Sequence, residues 1–187
     1  VMAHAHGDEG AYAAVKAGVR SIEHGTYVSD STLTLMRQGG TFLVPTYITV
    51  VDLTQPGGDY DDPILTLRGA HMLPRLAETV QRAHRMGVKI ATGADTQYGP
   101  ESLSRISGEV TKLVELGLTP VEALRSATTV AADLLGLGGK IGAIQIGLEA
   151  DLIVVERNPL QDARALADVL VVISNGRVAL NRLPFGR

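Results

Sequence analysis

Short apolar runs alternate with longer stretches of helical spacing over the first three quarters of the chain, an order that predicts βα units feeding a parallel sheet. The runs at 1–5, 19–23, 41–44 and 88–92 are the predicted strands. Between them the spacing predicts a helix over 8–18, closed by Gly18, and a helix over 31–38, with Asp30 as its N-cap and the Gly39-Gly40 pair as its stop. Residues 46–62 carry Pro56, Gly57, Gly58 and four aspartates, and the second half especially reads as a long loop of the kind that serves as a lid. A helical stretch over 64–86 follows, kinked at Pro74 and ended by Gly87. Two more helices fit 102–116 and 120–135; Thr119 as N-cap, Pro120 behind it and Glu122 at the third helical position open the second.

Beyond residue 137 the texture changes to glycines, short runs and tight turns, at 141–147, 151–155 and 169–174, with a short helix near 160–166. Asn175-Gly176 between two apolar runs is a hairpin signal. A boundary near 138 is expected, with the parallel α/β part at 1–138 and a smaller β-rich piece at 139–187.

Composition narrows the function. The 187 residues are 45% hydrophobic and 20% charged, which is the balance of a folded chain rather than a disordered one. A net charge of -3, no Trp and only two Phe leave neither a basic stripe nor a stacking platform, so no nucleic-acid partner is expected. Without cysteine, any metal must be held by histidine and carboxylate. No apolar run reaches the ~20 residues of a membrane span. No membrane partner is expected, and a cytoplasmic location is the default. The opening Val1-Met2-Ala3-His4 lies in mid-strand by its pattern, so the chain is expected to be a fragment.

Three places combine a strand end with a potential ligand: His4 and His6 in Ala3-His4-Ala5-His6-Gly7, His24 in Ile22-Glu23-His24-Gly25, and Asp95 in Gly93-Ala94-Asp95-Thr96. Parallel α/β folds gather their ligands at the C-terminal ends of strands, and neutral imidazole with carboxylate suits zinc and similar divalent ions. Taken singly, each is an ordinary strand-end residue; their joint placement at three strand ends points to a site. His71 and His84 fall inside the long helical stretch and read as surface or packing residues. Glu9, Glu23, Glu101 and Glu109 read as ordinary helix-start, strand-end and helix-face carboxylates. No Gly-x-Ser-x-Gly elbow surrounds Ser102 or Ser104, and the glycines at 136–139 follow a helix instead of a strand, so they close a helix and cradle no phosphate.

The strings Val1-Met2-Ala3-His4-Ala5-His6-Gly7, Ala17-Gly18-Val19-Arg20-Ser21-Ile22-Glu23-His24-Gly25 and Thr92-Gly93-Ala94-Asp95-Thr96 resemble strands five, six and eight of the amidohydrolase superfamily. Within it the resemblance is to the imidazolonepropionase-like enzymes and the metal-dependent Xaa-Pro and Xaa-Arg dipeptidases. The tail agrees: Gly142-Ala143-Ile144-Gln145-Ile146-Gly147 and Ala150-Asp151-Leu152-Ile153-Val154 resemble the return of that family's chain to its small β-sandwich. The resemblance implies the C-terminal half of a (β/α)8 TIM-type barrel, strands five to eight, with part of the sandwich. It implies His4, His24 and Asp95 as ligands of a divalent metal, zinc by preference, one or two ions in the complete enzyme. Asp95 would also take a proton from the attacking water, and His6 and Tyr27 would contact substrate, Tyr27 at a terminal carboxylate. The implied function is hydrolysis of amide or peptide C–N bonds in small molecules such as dipeptides. The alternative is a truncated, non-catalytic chain that binds metal weakly or serves as a partner domain. The implied partners are a small amide or dipeptide substrate and the missing N-terminal half or a second chain. Four strands cannot close a barrel, so an open edge and homo-oligomerisation are also expected.

Overall fold

The computed structural model describes residues 1–57, 60–95 and 105–183. Strands β1 (Met2–Ala5), β2 (Ser21–His24) and β3 (Phe42–Val44) form a parallel sheet in that order, with Ala5 opposite His24 and Glu23 opposite Val44. The fourth predicted strand is reduced to a single parallel bridge, Leu43 to Ile90, held by Leu43 N–H on Lys89 O at 2.9 Å and Ala91 N–H on Leu43 O at 3.0 Å. β3 is buried throughout, as an interior parallel strand must be. The outer edge of β1 has no strand partner among the described residues, and Val1 and Met2 at its start are exposed.

Helices α1 (Asp8–Lys16) and α2 (Asp30–Gly39) connect these strands. The N-cap of α2 is Ser29 rather than Asp30: its hydroxyl accepts from Thr32 N–H, while Asp30 is drawn outward to Arg82 at 2.6 Å. Gly40 closes the helix in the left-handed region, as the glycine pair predicts. The 23-residue α4 (Pro63–Arg85) runs unbroken through Pro74, with Asp62 capping Ile64 and Leu65 N–H. It lays Leu76, Val80 and Ala83 on a core that also contains Ile22, Leu33, Met36 and Leu43.

A short helix stands where a loop was expected. α3 (Tyr47–Asp52) has a sequence of Tyr, Ile, Thr and Val that favours strand, and six residues are too few to be stable alone. Its first turn is satisfied from outside. Glu109, fully buried on α5 (Ile106–Glu115), accepts Tyr47 N–H at Oε1 (3.0 Å) and Ile48 N–H at Oε2 (2.7 Å). Glu109 is therefore not the solvated helix-face residue its position suggests. Residues 102–104 of the helix predicted over 102–116 lie outside the described residues.

The single helix expected at 120–135 is two, α6 (Pro120–Ser126) and α7 (Thr129–Leu134). The Thr119–Glu122 capping box opens α6 as predicted. The break follows from Ser126, whose carbonyl leaves the helical ladder to accept Thr92 N–H at 3.0 Å. At the opposite end of the strands from the histidines, Arg20 and Lys89 lie over the buried Phe42 ring at 5.2 and 4.9 Å, and both pair with Asp133 of α7.

Residues 135–151 form turns only; Ile144 and Ile146 project into solvent, and no strand forms at 141–147. The rest is an antiparallel sheet, β4 (Leu152–Val155), β5 (Val169–Ser174) and β6 (Arg177–Asn181), with a 3-10 turn at Ala163–Ala167. Asn175-Gly176, both at positive φ, turn β5 into β6. No helix among the described residues is long and apolar enough to cross a membrane.

Burial pushes the Glu109 pKa up from the usual glutamate range to about 7, against the pull of its two backbone hydrogen bonds. In the folded chain it holds a proton at pH values where the unfolded residue has lost it. Its contribution is complete below about pH 4.5 and is lost as pH rises through about 7. Urea titrations at about pH 5 and about pH 8 should show lower stability at the higher pH, by at most ~3 kcal/mol from this residue. Glu109→Gln should remove that difference; persistence of the full difference in the variant would refute the assignment.

Candidate metal centre

The C-terminal ends of β1 and β2 place three imidazoles together. Ring centroids are 4.9 Å apart for His4 and His6, 4.5 Å for His4 and His24, and 4.6 Å for His6 and His24. One nitrogen from each lies within 4.8 Å of the other two, a spacing that a single divalent ion could bridge. The parallel register explains the grouping: Ala5 pairs with His24, so its neighbours His4 and His6 flank that ring. Asp95, beyond the Ile90 bridge, brings Oδ2 to 3.9 Å from His24 Nε2. The candidate site residues on the three strand ends thus converge, with His6 inside the imidazole cluster and Asp95 beside it.

Two threonines orient the rings. His6 Nδ1 is 2.8 Å from Thr26 Oγ1, and His24 Nδ1 is 2.6 Å from Thr46 Oγ1. Thr46 donates its own proton to Pro45 O at 2.7 Å, so its oxygen must accept from His24. That fixes the proton of His24 on Nδ1 and leaves the Nε2 lone pair directed to Asp95, the form a metal ligand requires. Burial, reinforced by the neighbouring His6 and His4, lowers the His24 pKa to about 4, and burial followed by His4 lowers that of His6. Both rings are neutral at pH 7, with lone pairs to offer. These donors fit a divalent metal.

Backbone strain gathers here. Of the described non-glycine residues, four have positive φ, and three of them are His24 (70°), Thr46 (48°) and Asp95 (44°). His24 closes β2, Thr46 follows the end of β3 and Asp95 lies beyond the Ile90 bridge, and such conformations persist only where surroundings hold them. Part of the hold is α3: Thr49 donates to the carbonyls of Ala94 and Asp95.

The imidazoles form one end of a cavity of about 830 Å³. Val50 from α3, Leu53 at its C-cap, and Leu65, Leu67 and Met72 from α4 make its apolar wall. Tyr27, Arg68 and His71 also face it, the Tyr27 and His71 rings being 6.2 Å apart. His71 therefore belongs to the site region, although nothing in its helical setting signals this; His84 instead pairs with Glu122 at 3.3 Å, far from the cluster. Thr26, Thr46 and Thr49 are further residues missed in the sequence, because a hydroxyl is not a ligand type; Thr46 does follow the end of β3, where the strand-end rule could have marked it.

Known proteins resemble the chain over most of its length. The sequence profile of the amidohydrolase family matches residues 1–179. An ochratoxinase of Aspergillus niger is 32% identical over 173 residues, which are 90% of this chain and 35% of that protein. A Xaa-Pro dipeptidase crystallised with methionine in its active site superposes with a TM-score of 0.85 at 37% identity, over 95% of this chain and 44% of its own. A prolidase in complex with N-methylphosphonate-L-proline gives 0.86 at 35% identity, over 97% and 45%. The chain spans about a third of the curated relative and less than half of the solved ones.

The turn after β2 depends on Gly25, at φ 66° and so close to Leu43 that a Cβ would lie 2.7 Å from Cδ1. Gly25→Ala should lower the unfolding free energy by about 2 kcal/mol or more, read by urea titration. A variant as stable as the parent would show that the turn is not constrained as described.

Proposed function

This chain belongs to the amidohydrolase family, and from that premise we propose that it carries the metal-binding side of a hydrolase that cleaves amide or peptide C–N bonds in small carboxylate-bearing molecules such as dipeptides. The observation that carries the reading is the cluster of His4, His6 and His24 at adjacent parallel strand ends, set in the wall of a largely apolar cavity. In this reading residues 1–138 are strands five to eight of the barrel and residues 139–187 the tail of its sandwich domain.

His4 and His24 hold the divalent ion, zinc by preference, and Asp95 supplies the carboxylate. When bound, such an ion polarises the amide carbonyl and brings the pKa of water down to ~7. Asp95 accepts the proton of the attacking water on a carboxylate oxygen and passes it to the departing amine nitrogen, which leaves as the neutral amine. His6, tied through Nδ1 to Thr26, keeps Nε2 for a hydrogen bond with substrate. The Tyr27 hydroxyl and the Arg68 guanidinium, on the same cavity, take the substrate carboxylate, and the wall of Val50, Leu53, Leu65 and Met72 takes an apolar side chain. The relatives' ligands, an amino acid and a phosphonate of proline, are of this chemical kind.

The test is hydrolysis of a panel of dipeptides and N-acyl amino acids by the enzyme, before and after chelation and after reloading with zinc. Chelator-sensitive hydrolysis restored by zinc is expected; hydrolysis indifferent to chelation overturns the reading. Asp95→Asn should lower kcat by roughly 10²–10⁴-fold.

Tyr27→Phe deletes only a hydroxyl. It should reduce kcat/KM for carboxylate-bearing dipeptides roughly ten- to hundredfold and spare their amidated analogues. Equal loss on both, or none on either, returns Tyr27 to a packing role.

A further inference from the structure

We infer that Glu109, which lines no part of the cavity and touches none of the imidazoles, is a positioning residue that sets the tautomer and orientation of His24 through the first turn of α3. Its consequence for metal binding rests on the reading above; its effect on His24 does not.

The connection is a sequence of contacts. The first N–H groups of any helix lack partners within it. In α3 the N-cap residue Thr46 gives them nothing: it sits at φ 48°, makes no capping bond, and donates its hydroxyl to Pro45 O. Glu109 alone accepts from Tyr47 and Ile48, one oxygen to each. The approach is close, since a Cβ on the adjacent Gly108 would lie 3.1 Å from Ile48 side-chain carbons. With those two donors anchored, the residue immediately before them cannot turn. That residue is Thr46, whose oxygen receives the His24 Nδ1 proton at 2.6 Å.

The same helix holds the far side of the cluster. One turn along α3, Thr49 donates to the carbonyls of Ala94 and Asp95. Movement of α3 would therefore disturb His24 and Asp95 together, and Nε2 and Oδ2 are the two atoms that face each other. Above about pH 7, where Glu109 is ionised, its carboxylate accepts at two points at once and carries the charge a helix N-terminus favours, and the comparison with glutamine is made there. Glutamine offers one good acceptor and sets an NH2 against the second backbone N–H.

The test uses the chain labelled with ¹⁵N in its imidazoles, since ring nitrogen shifts report which atom holds the proton. The parent should show His24 protonated on Nδ1, and Thr46→Val, which deletes only the hydroxyl, should release it to a mixture. Glu109→Gln should shift His24 in the same direction while the chain remains folded by its melting curve. Glu109→Asp, which withdraws the carboxylate by one methylene, carries the same expectation if the glutamine variant does not fold. A folded Glu109 variant with an unaltered His24 pattern overturns the inference.

Titration with cobalt(II) adds the second readout. Glu109→Gln should weaken cobalt affinity roughly 10–100-fold, the range for residues that orient metal-binding histidines. Thr46→Val added to Glu109→Gln should weaken it little further, because both act on one ring. If the tautomer shifts and cobalt affinity does not, Glu109 positions His24 and the metal reading fails instead.

Discussion

Two backbone N–H groups at the start of a six-residue helix must find acceptors away from water, and the rest of the site depends on how they do. The acceptor is a fully buried glutamate sixty-odd residues away in sequence, on a different helix. An unpaired buried donor would oppose folding by about 1–3 kcal/mol, so the fold closes α3 onto α5 firmly. From that closure follow the left-handed Thr46, the proton on His24 Nδ1, the seat of Thr49 on the carbonyls before and at Asp95, and one wall of the cavity.

The two ends of the parallel sheet are held by different physics. At the C-terminal end, the buried His24 and Thr46 and the half-buried His6 are joined by side-chain hydrogen bonds, with strained turns around them. At the other end, Arg20 and Lys89 flank the Phe42 ring and share Asp133, a charged clasp that ties β2 and β3 to α7. Buried hydrogen bonds such as that of His24 with Thr46 keep their geometry and reward complete pairing, whereas exposed ion pairs are screened and contribute little singly. Rigidity is concentrated around His24 and Thr46.

Much of this was legible in the sequence because it is written locally. Strand-end histidines, the Thr119 capping box, the stop at Gly40 and the Asn175-Gly176 turn each need only a few neighbouring residues, and each is found where the pattern puts it. The misses are tertiary. α3 is spelled in β-branched residues and becomes helical because Glu109 caps it; Glu109 itself is spelled like a solvated helix residue. The 120–135 helix breaks because Thr92 takes the Ser126 carbonyl, and residues 88–92 shrink to one bridge. Asp30 lost its capping role to Ser29 because Arg82, fifty residues on, attracts its carboxylate. In each case the deciding partner is distant along the chain.

The cavity wall is shared unequally between its two helices. Val50 belongs to α3 and Leu53 caps its C-terminus, and α3 also holds Thr46 and the carbonyls of Ala94 and Asp95, while Leu65, Leu67, Arg68 and Met72 belong to α4, which is anchored by its own cap and by its buried face. Changes along α3 reach His24 and Asp95 as well as the cavity wall. Changes at Leu65, Leu67 and Met72 near the start of α4 alter the cavity wall, whereas Thr79, further along the same helix, donates to Thr26 O and so reaches the residue whose hydroxyl meets His6.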